Sequence, residues 1–305
     1  MKTNKGNYFF YKLKHEYIGR AGVTFFGYML IIITVSLVFF IASKGLATFY
    51  HNHASISEFL FSTTWKPDRE VADGGPVVGS LIFIVGSILI SLLALLISTP
   101  LSVSLAIFMT EISPKFGKRL LQPTIEIFVG IPSVVYGWVG LSVLVPFIRE
   151  AFGGLGFSLL AGALVLSIMV FPTIASVSGD SLSIIPKEYK EASYALGATR
   201  WQTIRRVILP TAMPGILTGV VLGLARAFGE ALAVQMVIGN TIRMPKSLLD
   251  PTVNLTSIIT MDMGNTPMGT MWNNALWSMA LLLLIISFIF IFIIQKIGKR
   301  RGTAI

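Results

Sequence analysis

Residues 191–210 read EASYALGATRWQTIRRVILP, a polar stretch with three arginines set between two long apolar runs. Just upstream, Ile184-Ile185-Pro186 leads into KEYKEASYAL. Proline suits the first turn of a helix, where its missing N–H would lack a partner anyway. Glu188 and Glu191 then fall early in that helix, where the macrodipole favours acids. Gly197 follows Leu196 as a C-terminal glycine would. Thr199-Arg-Trp-Gln202 has capping-box spacing and opens a second helix running through Arg206 toward Leu209. Pro210 and Pro214 mark entry to the next apolar run. The prediction is a tight helix–glycine–helix hairpin over about 184–210.

The rest of the chain explains why such a hairpin stands out. Of 305 residues, 54% are hydrophobic and 12% charged, about half the charged share of a soluble domain. The apolar residues come in runs long enough to cross a bilayer as helices. Six spans are expected, near 21–43, 77–98, 121–148, 155–178, 212–238 and 272–295. The apolar run from Ala21 exceeds a signal-peptide core and ends at no cleavage site, so it reads as a retained helix. No charge occurs between Val77 and Thr110. That length exceeds one crossing, so a bent or restarted helix is expected at Pro100, with Thr99 as its cap. The fold class is therefore an all-α polytopic membrane protein.

Charge supports this count. With the N-terminus inside, 17 of the 24 lysines and arginines fall in inner segments and six in outer ones, leaving Arg226 within a span. That bias places both termini in the cytoplasm. The formal charge of +10 is thus a topology signal and not a nucleic-acid footprint. There is no cysteine, which excludes thiol and disulfide chemistry. His51 and His53 lack a third ligand nearby, so no metal site is expected. The outer loops 44–76 and 239–271 read either as docking surfaces or as solvated linkers.

The hairpin carries no histidine and no nucleophile–base pair, so it is not an active site. Its small residues Ala192, Ser193, Ala195, Gly197 and Ala198 suit a groove on another protein. The alternative is an amphipathic pair resting on lipid headgroups. Docking is the favoured reading.

Its spacing matches a known pattern: E-A-A, three residues, G, nine residues, I-x-L-P. Here the residues are Glu191-Ala192-Ser193, Gly197 and Val207-Ile208-Leu209-Pro210, with Ser193 and Val207 as mild departures. The chain thereby resembles permease subunits of bacterial ABC importers. Glu126 to Gly137, containing Gly130-Ile-Pro132-Ser133-Val-Val-Tyr136-Gly137, looks like the G-I-P-S-V-V-Y-G stretch of phosphate-specific (Pst) permeases. Arg226-Ala-Phe-Gly229-Glu230 with Gly239-Asn240 resembles their R-A-x-G-E segment, and Trp65-x-Pro67 is like the PstC subunit more than PstA. The likeness runs from about residue 16 to 297.

This resemblance implies a type I importer fold of the MetI kind. It divides the chain into a cytoplasmic segment 1–20, a first helix 21–43, an external loop 44–76, a permease core 77–297 and a tail 298–305. It implies coupling to an ABC ATPase through Glu191, Ala192, Ser193, Gly197, Leu209 and Pro210. The implied partners are a second, PstA-like permease, an external phosphate-binding protein, phosphate as cargo and membrane lipid, with no nucleic acid. No phosphate-binding loop of the G-x-x-x-x-G-K-[ST] type occurs, so ATP and magnesium are expected on the partner and no cofactor on this chain.

Within the fifth span, Gly215, Gly219, Gly223, Arg226 and Glu230 share one helical stripe. Arg226 and Glu230 are four apart and are expected to pair. An arginine mid-span is costly and a functional candidate by default. One reading puts this stripe on the pore, with Arg226 offering donors to phosphate. The other makes the pair a lock between helices, since a buried pair argues weakly for either role. Pro132 is expected to kink the third span and free a carbonyl. Gly130, Pro132 and Ser133 are pathway candidates on that basis. Glu126 is either a gate residue or an interfacial acid. Rival functions are a permease for phosphonate, sulfate or molybdate, or a secondary transporter, which would show inverted repeats that the sequence lacks. A membrane enzyme is disfavoured, because the spans hold no histidine.

Overall fold

A computed structural model describes residues 18–302. The basic residues Lys2, Lys5, Lys12 and Lys14 of the expected N-terminal segment, and the last three residues of the expected tail, lie outside it. Six helices are long and apolar enough to cross a membrane: Gly19–Tyr50, Leu81–Ile112, Ser133–Phe152, Leu159–Ser183, Arg200–Gly229 and Met271–Lys296. They are called spans one to six. Helices are the form an apolar run must take, because hydrocarbon offers backbone groups no partner.

Span four is the hub. Leu166, Val170, Ile174 and Ala175 are fully buried, and the helix packs along both span two and span five. Span one stands apart, with Phe25, Phe26 and Phe39 widely exposed. It is tied to span six at one end, where Ser278 donates to the Gly45 carbonyl at 2.5 Å and meets Thr48 at 2.6 Å. Phe40 stacks edge-on against Trp277.

The expected break at Pro100 is absent. The α-helix Leu81–Ile107 runs through it and Thr99 caps nothing. Span four holds the segment in place: Ser98 and Ser102 are buried against the bundle, and Ser102 Oγ donates to the Phe171 carbonyl at 2.9 Å. The break comes later, as a π turn over Phe108–Ile112. Three further π turns cover Gly117–Leu121, Gly140–Leu144 and Ile204–Ile208. Each of the four ends two residues before a proline, namely Pro114, Pro123, Pro146 and Pro210. A proline ring collides with the carbonyl four residues back in a regular helix. A wider turn makes room for it.

The segment 239–271 is neither solvated linker nor purely a surface. Thr252–Ser257 is buried, folded inward as the start of the helix Leu255–Asp262. Two of its backbone N–H groups are satisfied inside: Asn254 caps the Ser257 N–H at 3.0 Å, and Ser87 accepts from the Leu255 N–H at 2.9 Å. A Cβ on Gly86 would lie 2.2 Å from the Val253 carbonyl oxygen, so this approach requires glycine. At the end of that helix Asp262 accepts from the Trp272 indole at 3.2 Å. Burial raises its carboxyl above the ordinary value, and the Trp272 bond acts against that rise. In the segment 44–76, Trp65–Lys66 pairs antiparallel with Val77–Val78, and Trp65 stacks edge-on against Phe83.

Candidate functional site

The hairpin is present and its signals act as the sequence indicates. Its first arm is the helix Lys187–Ala195. Pro186 is extended and precedes this helix, one position earlier than expected. Gly197 has φ +78°. Its N–H bonds the Tyr194 carbonyl at 2.9 Å, and the Ala198 N–H bonds the Ser193 carbonyl at 3.2 Å. That is a Schellman ending, which places glycine in the left-handed region. Thr199 and Gln202 form a reciprocal capping box. The second arm does not stop at Leu209. It passes through the π turn Ile204–Ile208 and continues as span five.

One predicted contact residue faces the wrong way for docking. Ser193 is buried and meets Thr203 across the hairpin at 2.9 Å, because the two arms must satisfy a polar pair where they touch. Glu191, Ala192 and Ala195 are exposed. Beside them stand Tyr189, Tyr194 and Trp201, with Leu196 at the tip 89% exposed. The outward face is thus aromatic and aliphatic around a small patch. Leu209 and Pro210 are half-buried at the base, where Leu209 packs against a buried cluster that includes Ala106, Leu182 and Ile185.

Glu111 was not anticipated. Its carboxylate takes Lys190 Nζ at 2.6 Å. Arg200 donates to the Glu111 carbonyl and, at 3.2 Å, to the Ile112 carbonyl. A charge at the end of a long uncharged run is the only sequence trace of it.

A second constellation arises from two interrupted helices. The stretch expected as span three breaks between Gln122–Gly130 and Ser133–Val139, with Ile131 and Pro132 extended. Proline at 132 removes the N–H that would bond the Phe128 carbonyl. Tyr136 supplies a donor instead, its hydroxyl bonding that carbonyl at 2.7 Å. The expected kink is therefore a full break, resealed by a side chain one turn on.

Span five breaks too, at a place that reads as continuous helix. Leu209–Gly229 ends, Glu230 is extended, and a short helix Leu232–Ile238 follows. Glu230 Oε1 accepts from the Ala233 N–H at 3.1 Å. Its own carbonyl accepts from Thr256 Oγ1 at 2.8 Å.

This overturns the expected ion pair. With helix geometry lost at Glu230, the i, i+4 relation no longer brings the two charges together. Among the described residues, the one ion pair within 4.0 Å is Lys190–Glu111. Arg226 instead donates to Thr173 Oγ1 of span four at 3.3 Å, and Tyr136 is within its Coulombic range. The glycines do share the arginine's face, since Gly215, Gly219 and Gly223 approach Ser181, Val177 and Ile174 of the same span four. A Cβ on Gly223 would lie 2.7 Å from Ile174 Cγ1, so this predicted pathway residue is a close-packing position against span four.

The remaining candidates divide. The second halves of the two broken helices meet, since a Cβ on Gly137 would lie 2.8 Å from both Ala233 Cα and Met236 Sδ. Pro132 and Ser133 sit at the first break, with Ser133 half-buried. Gly130 is exposed, with nothing within 4 Å of a Cβ built on it. Glu126 is exposed and its hydrogen bond is local, from Gln122 Nε2 at 3.3 Å. Thr173, Tyr136 and Thr256 complete the site, and only Tyr136 lay in a stretch singled out beforehand.

Residues 98–302, which include the hairpin and both breaks, match the model of the binding-protein-dependent transport system inner membrane component family. A probable ABC transporter permease protein of Bacillus subtilis, YqgH, is 53% identical over 94% of this chain and 92% of its own length. The phosphate transport system permease protein PstC of Pasteurella multocida is 34% identical over 99% of this chain and 97% of its own. Among solved structures, a bacterial ABC transporter for import of the acidic polysaccharide alginate superposes with TM-score 0.62 over 96% of this chain and 98% of that one, at 15% identity. That likeness concerns the fold, which is the six-helix type I importer architecture. The chain is a multi-pass membrane protein and belongs to the family of binding-protein-dependent transport system inner membrane components, the permease subunits of ABC importers.

Proposed function

We propose that this chain is the PstC-like half of an ATP-driven importer of inorganic phosphate in a bacterial plasma membrane. The observation that carries the cargo is Arg226. It lies one turn before the helix break at Glu230, against Thr173 of span four, and among the described residues no carboxylate is within 4.0 Å of it. A guanidinium left with one neutral hydroxyl partner keeps most of its donors available for an oxyanion. Similarity to PstC proteins over nearly the whole chain supports the same reading. The hairpin docks a separate ABC ATPase, which binds ATP and magnesium. A PstA-like permease completes the pathway, and an external phosphate-binding protein delivers the cargo. The 17-to-6 charge bias supports a cytoplasmic hairpin and cytoplasmic termini.

A second reading is import of another tetrahedral oxyanion. The relative at 53% identity bears a name that specifies no substrate, and one arginine does not separate such anions. Uptake of labelled phosphate into vesicles holding the full complex, with and without ATP, decides between them. ATP-dependent accumulation of phosphate supports the proposal. Accumulation of sulfate, molybdate or phosphonate in its place overturns it.

A further inference from the structure

The hairpin is internally braced by its Schellman turn, capping box and Ser193–Thr203 contact, so it is built to move as one piece. Its hydrogen bonds to other elements, among the described residues, converge on the last two residues of span two: Lys190 to the Glu111 carboxylate, and Arg200 to the carbonyls of Glu111 and Ile112. Glu111 is 8% exposed at its side chain and Lys190 24%. A mostly buried carboxylate left without its partner is strongly unfavourable. The ammonium must therefore either stay or be replaced by movement of Glu111 itself.

A polar cavity of about 420 Å³ adjoins this pair. Glu111 and Lys190 line it, and so does Asp180 near the end of span four. Among the described residues Asp180 forms no ion pair within 4.0 Å. One lysine on the hairpin thus borders two carboxylates, one on span two and one on span four. The cavity also reaches Gly117, Lys118 and Gln122, which lead into the helix broken at Pro132.

We propose that Lys190 is a two-position latch: bonded to Glu111 of span two in this conformation, and to Asp180 of span four when the hairpin moves with the ATPase. Glu111, Lys190 and Asp180 are then positioning residues for coupling, and none of them touches the cargo. Exchange of partners inside a polar cavity gives the two discrete arrangements that transmitted motion needs. The inference rests on the chain being an ABC importer permease and does not depend on which anion is carried.

The test uses the assembled importer in vesicles and reads substrate imported per ATP hydrolysed, with co-purification of the subunits as the check on assembly. Lys190→Met and Glu111→Gln are expected to lower that ratio at least about fivefold, the low end of ordinary coupling energies. The exchange Glu111→Lys with Lys190→Glu is expected to restore the arm to span two but to set a second carboxylate against Asp180, so it recovers the ratio only when Asp180→Lys is added. Because the chain has no cysteine, Lys190→Cys can be paired separately with Glu111→Cys and Asp180→Cys for cross-linking. The 190–111 pair should cross-link without nucleotide, and the 190–180 pair should gain yield at least about fivefold after ATP and vanadate trapping. Unchanged coupling in an assembled Lys190→Met complex, or 190–180 yields indifferent to nucleotide, overturns the latch. If phosphate is not the cargo, phosphate uptake fails in the unaltered protein while the nucleotide-dependent cross-link persists, so the two proposals fail separately.

Discussion

The two interrupted helices of the core make an instructive pair. The break at Ile131–Pro132 is made by a residue that lacks an N–H, and a tyrosine hydroxyl repairs the freed carbonyl. The break at Glu230 has no proline. It exists because a carboxylate turns back to cap the Ala233 N–H and because Thr256, from a buried segment 26 residues away, donates to the Glu230 carbonyl. The first interruption is local and visible in the chain; the second is imposed by a distant neighbour. Their second halves meet at Gly137 and Ala233, so a local device and a tertiary one shape one site.

The largest effect tests whether that site is the pathway. Arg226→Gln should abolish ATP-driven phosphate uptake while the complex still co-purifies. Normal uptake would make the Arg226–Thr173 bond mere packing between spans four and five. Next comes the repair at the proline break. Tyr136→Phe should leave the Phe128 carbonyl with only the long bond from the Ile131 N–H, at 3.4 Å, and cost about 1–3 kcal/mol in detergent unfolding. In a Pro132→Ala background a backbone N–H is available again, so the cost should fall. Equal costs in both backgrounds would show that Tyr136 does not substitute for the missing donor.

The hairpin bend is a third, purely local interruption and provides a control. Gly197 has φ +78° with open space around it, so Gly197→Ala should cost about 1–2 kcal/mol from backbone conformation alone. Glu230 tests the tertiary break. Glu230→Ala removes the cap and should cost about 1 kcal/mol, whereas Glu230→Gln keeps an acceptor and should stay near the parent. Equal loss in both would return the weight to charge, as the abandoned ion pair requires.

The smallest effect lies at Asp262, beyond the spans. Burial raises its folded pKa, so its contribution to stability is full below the unfolded value of about 3.9 and declines as pH rises through the folded one. Asp262→Asn keeps an acceptor for Trp272 and should remove that slope from thermal unfolding followed over this window.

What could be read in the chain is what depends on residues close together. Apolar runs long enough to cross a bilayer specify six helices, because backbone groups in hydrocarbon must pair internally. Pro186, Gly197 and the Thr199–Gln202 box specify the hairpin, because each acts within one turn. Pro132 specifies a break for the same reason. Helix periodicity failed where tertiary partners overrode it. It placed the glycines and Arg226 correctly on one stripe, where Gly223 packs on Ile174 and Arg226 reaches Thr173 of the same helix, but it also placed Glu230 there, and Glu230 leaves the helix altogether. It likewise gave no hint that Thr252–Ser257 would be buried, or that Glu111 would anchor the hairpin from 79 residues away. Local sequence therefore determined the helices and the points at which they can bend. Tertiary packing decided which polar groups meet, because a buried donor or carboxylate takes the nearest partner in space, whatever its distance along the chain.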